Sequence, residues 1–371
     1  MKRVLIGFIM DGHAGGIDKY LLNFLEQVHS EDIKIDFLTN KINLELKEDL
    51  SKFGCELYEV STLKHPIKQY KMICNIINQN KYDVSYFNIS TAINCIGPLA
   101  AKKCNVNLKI IHSHSTANDC TNSLKRSILD IVHNICKTFL YKSADKLLAC
   151  SKLAGQWLYP KKIFESNRFE VIHNAIDTSK YEYNEKIRIR TRNSLNIGNK
   201  HVIGFVGNFC YPKNIFFLLD IFKKICDLRS DCLLMLVGDG PDYEKSIQYA
   251  KQLNIYKNIL FLGRRNDVNS LMQAMDVFVL PSRFEGLGIV GIEAQASGLK
   301  CVFSDLIPKD VKVTKNCTFL SLKSPKINWT SSICNNFDYI RVSQRDNILK
   351  NKYDIDSQRQ DLRNILILKG M

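Results

Sequence analysis

The thirteen cysteines of this chain are odd in number and never fall in a Cys-x-x-Cys pair. That scatter builds neither a disulfide framework nor a zinc knuckle, and it suits a reducing compartment. Apolar runs of membrane-spanning length are missing too. Lys2-Arg3 followed by VLIGFIM has the order of a signal peptide, but the run is seven residues long, stops at Asp11 and has no small-residue cleavage site behind it. Residues Val84 to Ala101 carry no charge, yet Asn88, Asn94 and Pro98 interrupt them. A soluble, cytoplasmic protein is therefore expected. There is no internal repeat and no low-complexity segment. No nucleic-acid-reading motif or aromatic stacking platform accompanies the basic charge, so nucleic acid is not an expected partner. The glycine loop DGHAGGID lacks the Gly-Lys-Ser/Thr ending of an ATPase phosphate loop, and the VGDGPDYEK turn lacks the G-x-G-x-x-G spacing of a dinucleotide fingerprint.

What is present is enough for two domains. The chain has 371 residues, 45% hydrophobic and 24% charged, ordinary globular values. Strand-like runs alternate with helical patterns: KRVLIGFIM, IKIDFLT, DVSYFNI, LKIIHSH, KLLACS and FEVIHNA in the first half. HVIGFVGN, LLMLVGD, ILFLG, VFVLPS and KCVFSD follow in the second. Continuous apolar strands between helices predict parallel sheets covered on both faces, an α/β chain with two doubly wound, Rossmann-like domains facing across a cleft. The expected boundaries are 1–185 for the first domain, 186–345 for the second and 346–371 for a helical tail. A linker is expected between Asp177 and Lys200.

The net charge of +15 is uneven: residues 60–168 hold 16 Lys/Arg against 5 Asp/Glu. Lys64, Lys68 and Lys71 are expected in one helix, and Lys125 and Arg126 open another that interleaves Ile128, Ile131, Val132, Ile135, Phe139 and Leu140. A solvated helix face and docking on an anionic leaflet both fit this block.

The densest chemistry signal is LPSRFEGLGIVGIEAQASG. It sets Glu285 ahead of a predicted helix and Glu293 inside it, with seven residues between them. Gly286 and Gly288 allow close backbone approach, and a helix N-terminus offers free N–H groups to a diphosphate. The plainer alternative has Glu285 capping its own helix and Glu293 on the surface. Upstream, FVGNFCYPKN places Lys213 in the loop after a strand, where a lysine can neutralise a diphosphate.

Together with LLMLVGDGPDYEK and SDLIPKDVKVT, these segments resemble glycosyltransferase family 4 of the GT-B fold, most of all its bacterial exopolysaccharide and capsule enzymes. The resemblance runs from about residue 1 to about 330. It implies that Glu293 holds the ribose hydroxyls of a nucleotide and that Glu285 sits at the donor sugar. Backbone amides from Gly286 through Leu287 and Gly288 to Ile289 would serve sugar and diphosphate, with Lys213 on the diphosphate. The family usually carries arginine directly after the glycine of the first segment; here that residue is Asn208. One positive charge at the leaving group is thereby lost, which lowers activity unless Arg264, Arg265 or Arg283 compensates.

In the first half, Gly15 and Gly16 open a helix. Similar family loops pack near the donor phosphates or an acceptor, although a simple strand-to-helix turn also explains them. His112 and His114 end a strand two residues apart, on one side of it. They could ligate a metal, but no further ligand lies nearby in sequence, so none is expected. The resemblance suggests that one of them, His114 by preference, contacts the donor sugar near its reacting carbon. His112 remains an acceptor-side candidate. His173 and Asn174 occupy the family's interdomain turn, which Asp177 helps to close.

The implied reaction is retaining and metal-independent, with a nucleotide-diphosphate-sugar as co-substrate and no other cofactor. UDP is the default donor nucleotide. The expected acceptor is a polyprenyl-diphosphate-linked saccharide at the inner face of the cell membrane, whose anionic surface would be a partner. A nucleotide-sugar epimerase, a non-catalytic scaffold permitted by Asn208, and a nicotinamide oxidoreductase stay open as alternatives.

Overall fold

The computed structural model describes residues 1–10 and 15–367. The stretch Asp11–Ala14 of the expected glycine loop lies outside the described residues. The chain divides into two compact units, Met1–Ala175 with Ile355–Met371, and Ile176–Asp354. Each is taken in turn.

The first unit is built on seven strands, β1 (Lys2–Gly7), β2 (Ile33–Thr39), β3 (Leu57–Glu59), β4 (Val84–Ile89), β5 (Leu108–Ser113), β6 (Lys146–Ala149) and β7 (Phe169–Val171). They pair in parallel in the order β3-β2-β1-β4-β5-β6-β7. Side chains alternate across the sheet, and both faces are dry. Val4, Ile6, Val84, Tyr86, Leu108 and Ile110 join one cluster, which is covered by the Gly16–Val28 and Ile355–Ile365 helices. Leu5, Phe87, Ile89 and Ile111 join the other. The tail is thus helical in part, and its last helix completes the first unit instead of standing apart.

The second unit holds β8 (His201–Val206), β9 (Cys232–Val237), β10 (Ile259–Phe261), β11 (Val277–Leu280), β12 (Lys300–Ser304) and β13 (Cys317–Leu320). Their parallel order is β10-β9-β8-β11-β12-β13. Every residue of β9 is buried, as a strand covered on both faces requires.

Two expectations change. The stretch expected as a linker is part of the second unit. Its Glu185–Ser194 helix is pinned by Arg188 and Arg192 to Asp276 at 2.6 and 3.4 Å, and that carboxylate also accepts from the Val202 amide at 2.7 Å. This helix faces its domain with an ion-pair network in place of an apolar stripe, so its composition reads as linker. Lys64 precedes the helix expected to hold it, which starts at Pro66; Lys68 and Lys71 lie inside. Among the described residues no helix is long and apolar enough to cross a membrane.

Candidate functional site

In the second unit β8 and β11 lie side by side, while the chain leaves them toward opposite edges of the sheet. Such a switch point opens a crevice at the carboxyl ends of the two strands. The loop after β8 carries Gly207, Asn208 and the Tyr211–Lys213 turn. It is packed backbone to backbone on the loop after β9: a Cβ on Gly238, whose φ is 131°, would stand 2.1 Å from the Gly207 carbonyl oxygen. That contact accounts for the glycine turn of VGDGPDYEK. Phe209 then accepts from the Asp242 amide and donates to the Asp239 carbonyl, at 2.9 and 2.8 Å.

Across the crevice, the loop after β11 brings Glu285 to Lys213. Lys213 Nζ donates to Glu285 Oε1 at 2.5 Å, and Ser282 Oγ donates to the same oxygen at 2.7 Å. The two charged side chains are only 18% and 11% exposed, so their attraction is weakly screened. Glu285 stands ahead of the following helix, with Lys213 and Ser282 on its Oε1. That helix, Ile289–Ala296, starts after Gly288 at φ 90° without a side-chain cap, a conformation that favours glycine. Leu287, beside Gly288 in the chain, is buried.

Glu293 is inside the helix and 3% exposed, so it is not a surface residue. Its neighbour is Tyr181, from the short Thr178–Tyr181 helix. Burial, then the Glu293 charge and a hydrogen bond to it, push the Tyr181 hydroxyl well above its ordinary range. Gly286, Gly288 and Gly291 do carry G-x-G-x-x-G spacing, which the sequence reading overlooked. A Cβ on Gly291 would meet Phe303 Cζ at 2.9 Å, so the third glycine serves helix-to-strand packing, as it does in dinucleotide sites. Here the turn follows the fourth strand of the unit and not its first. Of the three arginines proposed to offset Asn208, Arg283 is tied to the turn that bears Lys213. Its Nη1 donates to the Tyr211 carbonyl at 2.8 Å and its amide to Pro212 at 2.7 Å. Arg265 is instead held by Asp267 through two bonds of 2.8 and 2.7 Å.

In the first unit, His112 is fully buried on β5 and His114 lies just beyond it, with ring centroids 4.1 Å apart. Tyr86 from β4 bridges Tyr20 and His112, with its hydroxyl 2.7 Å from Tyr20 Oη and 2.6 Å from His112 Nδ1. His114 Nε2 is 2.8 Å from Asn88 Oδ1. The amide oxygen accepts, so the proton of His114 sits on Nε2 and leaves Nδ1 as an acceptor. Desolvation holds His114 down to about 3, and desolvation followed by the neighbouring His114 holds His112 well below its ordinary value. Both are neutral imidazoles at pH 7. His114 Nδ1 and Asn88 Nδ2 are buried without a hydrogen-bond partner, an acceptor and a donor on interacting residues. Such a pair suits a hydroxyl, which both gives and takes a hydrogen bond. Gly15 precedes the Gly16–Val28 helix at φ 149°, with open space where a Cβ would stand. Asp18 in that helix accepts from the Met10 amide at 3.1 and 3.2 Å, tying the segment after β1 to the helix start.

The structure therefore unites Lys213, Glu285, Gly286, Leu287, Gly288 and Ile289 at one crevice, with Asn208 on its β8 loop and Glu293 in its helix. His112, His114, Gly15 and Gly16 belong to the first unit. Tyr181, Ser282 and Asn88 were missed; each is an unremarkable residue type until the fold supplies its partner. Among the described residues no group of three or more His, Cys, Asp or Glu side chains is arranged to hold a metal ion.

Comparison with known proteins bears on the family and the fold. Residues 14–180 match the model of Glycosyltransferase Family 4, and residues 187–316 match that of Glycosyl transferases group 1. EpsF of Bacillus subtilis, which carries a glycosyltransferase name, is 29% identical over 339 residues, covering 90% of this chain and 87% of EpsF. The Escherichia coli UDP-Gal:alpha-D-GlcNAc-diphosphoundecaprenol alpha-1,3-galactosyltransferase is 28% identical over 257 residues, 67% of this chain and 63% of that protein. Anabaena HepE, solved in complex with UDP, superposes with a TM-score of 0.76 at 17% identity over 99% of both chains.

Proposed function

From the premise that the chain belongs to the family 4 glycosyltransferases and has the GT-B fold, we propose that it transfers a sugar from a UDP-sugar to a lipid-linked saccharide, with retention and without a metal ion. The observation that carries this reading is the meeting of Lys213 and Glu285 across the β8–β11 crevice, above a helix whose buried face holds Glu293. In this reading Glu293 binds the ribose hydroxyls, and Tyr181 orients its carboxylate. Glu285 bonds the sugar hydroxyls, and the Gly286–Ile289 backbone cradles the diphosphate. His114 and Asn88 bind a substrate hydroxyl in the first unit.

The anomeric carbon's bond to the phosphate oxygen breaks as the acceptor oxygen attacks from the same face. The acceptor proton passes to the departing phosphate, so no separate carboxylate base is needed. Lys213 and the helix N-terminus stabilise the charge that develops on the leaving group, the task a metal ion performs in other sites. A UDP donor is supported by HepE's complex with UDP and by the name of the Escherichia coli relative, which also supplies the diphosphoundecaprenol-linked acceptor class. The setting that follows is cell-surface polysaccharide synthesis at the anionic inner face of the cell membrane.

The test is a calorimetric titration with UDP, GDP and ADP in EDTA. UDP should bind, and Glu293→Ala and Lys213→Ala should each weaken it by about 1.5–3 kcal/mol. Binding of none of the three nucleotides, or binding untouched by either substitution, overturns the site assignment and favours a scaffold.

A further inference from the structure

The Ser123–Leu140 helix carries its polarity the wrong way round for a domain helix. Leu124, Ile128, Ile131 and Ile135 follow one another at intervals of four, three and four residues, which lines them up on a single face. That face points away from the domain: the four are 72%, 54%, 62% and 58% exposed. The helix meets the domain through its C-terminal end, where Leu140 is fully buried with Cys136 and Phe139 packed beside it, and through polar contacts. His133 is fully buried, stacks on Trp157 with centroids 3.8 Å apart, and accepts at Nδ1 from the Ala92 amide at 3.1 Å. Arg126 donates to the Cys120 carbonyl and Lys137 to the Gln156 carbonyl, both at 2.6 Å. Asp130 accepts from Asn118 at 2.5 Å. Core packing leaves the outward isoleucines unexplained.

We propose that this helix lies along an anionic lipid leaflet, with its apolar stripe sunk among the acyl chains. Its charges are those a negative headgroup layer attracts. Lys125 and Arg126 stand at its start and Lys137 near its end; Lys142 and Lys162 flank the ring of Tyr141, the residue that follows it. The one acidic side chain in the helix, Asp130, is turned to Asn118. Eighteen residues make a rod of about 27 Å, a convex shape that fits a bilayer surface. Two copies pairing through this stripe would bring basic ends together, which disfavours a second copy as the occupant. The inference is independent of the donor, and rests on the lipid-linked acceptor only for its purpose.

Flotation of the full chain with vesicles tests it, using phosphatidylcholine alone and phosphatidylcholine mixed with phosphatidylglycerol. The protein should float with the anionic vesicles and scarcely with the neutral ones. Ile128→Glu/Ile131→Glu should cut partitioning at least about tenfold. Ile67→Glu, on another helix and still more exposed at 72%, should change it less than about twofold. UDP titration of each variant separates a failed fold or donor site from a failed docking surface. Vesicle binding that the double variant retains overturns the proposal, as does a wild-type chain indifferent to anionic lipid. So does a wild-type dimer that the double variant converts to monomer, because the stripe is then a contact between copies.

Discussion

The two sheets share a strand plan: in each, the first strand lies between the second and the fourth. The polar groups at their carboxyl ends are nonetheless of opposite kinds. In the first unit they are neutral, two imidazoles held uncharged by burial, an amide and two tyrosine hydroxyls. In the second they are ions, Lys213 against Glu285 with Arg283 tied to the same turn. Depth accounts for the difference. His112 and His114 are packed against aromatic rings, where a charge would lose its hydration without a counter-ion. Lys213 and Glu285 keep partial exposure and have each other. One topology thus offers the same crevice twice, and the side chains decide whether it is lined by neutral hydrogen-bonding groups or by ions.

Removing the ion from the charged side should do the most damage. Lys213→Ala is expected to lower kcat by about 10²–10³-fold, in the range seen when one donor to a developing negative charge is lost. Steady-state kinetics with a fixed acceptor checks this. A kcat that falls equally for His114→Ala and scarcely for Lys213→Ala would reverse the division of labour between the units.

The neutral side should reveal itself through pH. Unfolded histidine takes up its proton near 6.5, whereas folded His114 does so only at about 3. Between those values the unfolded chain binds more protons, so stability rises with pH and is lost as pH falls below about 6.5, by up to about 1.4 kcal/mol per pH unit for this group. Denaturant unfolding at a series of pH values should show a shallower acid loss in His114→Gln than in the wild type. Equal slopes would mean that His114 is not held neutral. A smaller effect is expected at Tyr181. Tyr181→Phe removes one hydrogen bond from Glu293 while keeping the ring, and should weaken UDP binding by about 0.5–1.5 kcal/mol in the same titration used for Glu293→Ala.

Most strands of both units were legible in the sequence. IKIDFLT reads as a strand and is one at Ile33–Thr39, and VFVLPS ends where β11 does, within two residues. Hydrophobic runs between turn residues carry that information locally. β3 and β13, three and four residues long, are too short to show a period. The Glu185–Ser194 helix was hidden because its inner face is guanidinium and not hydrocarbon. At the site, glycines, lysine and carboxylates announced themselves by type. Asn88 did not, since an asparagine's meaning here comes from its register: it pairs with His112 across the sheet and bonds His114 two residues on. Tyr181 came from a stretch whose sequence looked like connection.

The least effect should come from Arg265, and that expectation bears on how the chain manages with Asn208. Its guanidinium is 40% exposed and already satisfied by an Asp267 carboxylate that is 44% exposed. Pairs of this kind contribute only about 0–1 kcal/mol, so Arg265→Ala should leave stability within about 0.5 kcal/mol and kcat/KM unchanged. Arg283→Ala should behave otherwise. It frees the Tyr211 carbonyl, loosens the turn that presents Lys213 and removes a cation stacked 4.5 Å over the Tyr211 ring. A loss of about 1.5 kcal/mol in transition-state binding is expected, by the ordinary weight of a charged hydrogen bond. Should Arg265→Ala prove the more damaging of the two, the charge absent at Asn208 is supplied from the loop after β10, and the charged crevice extends beyond β8 and β11.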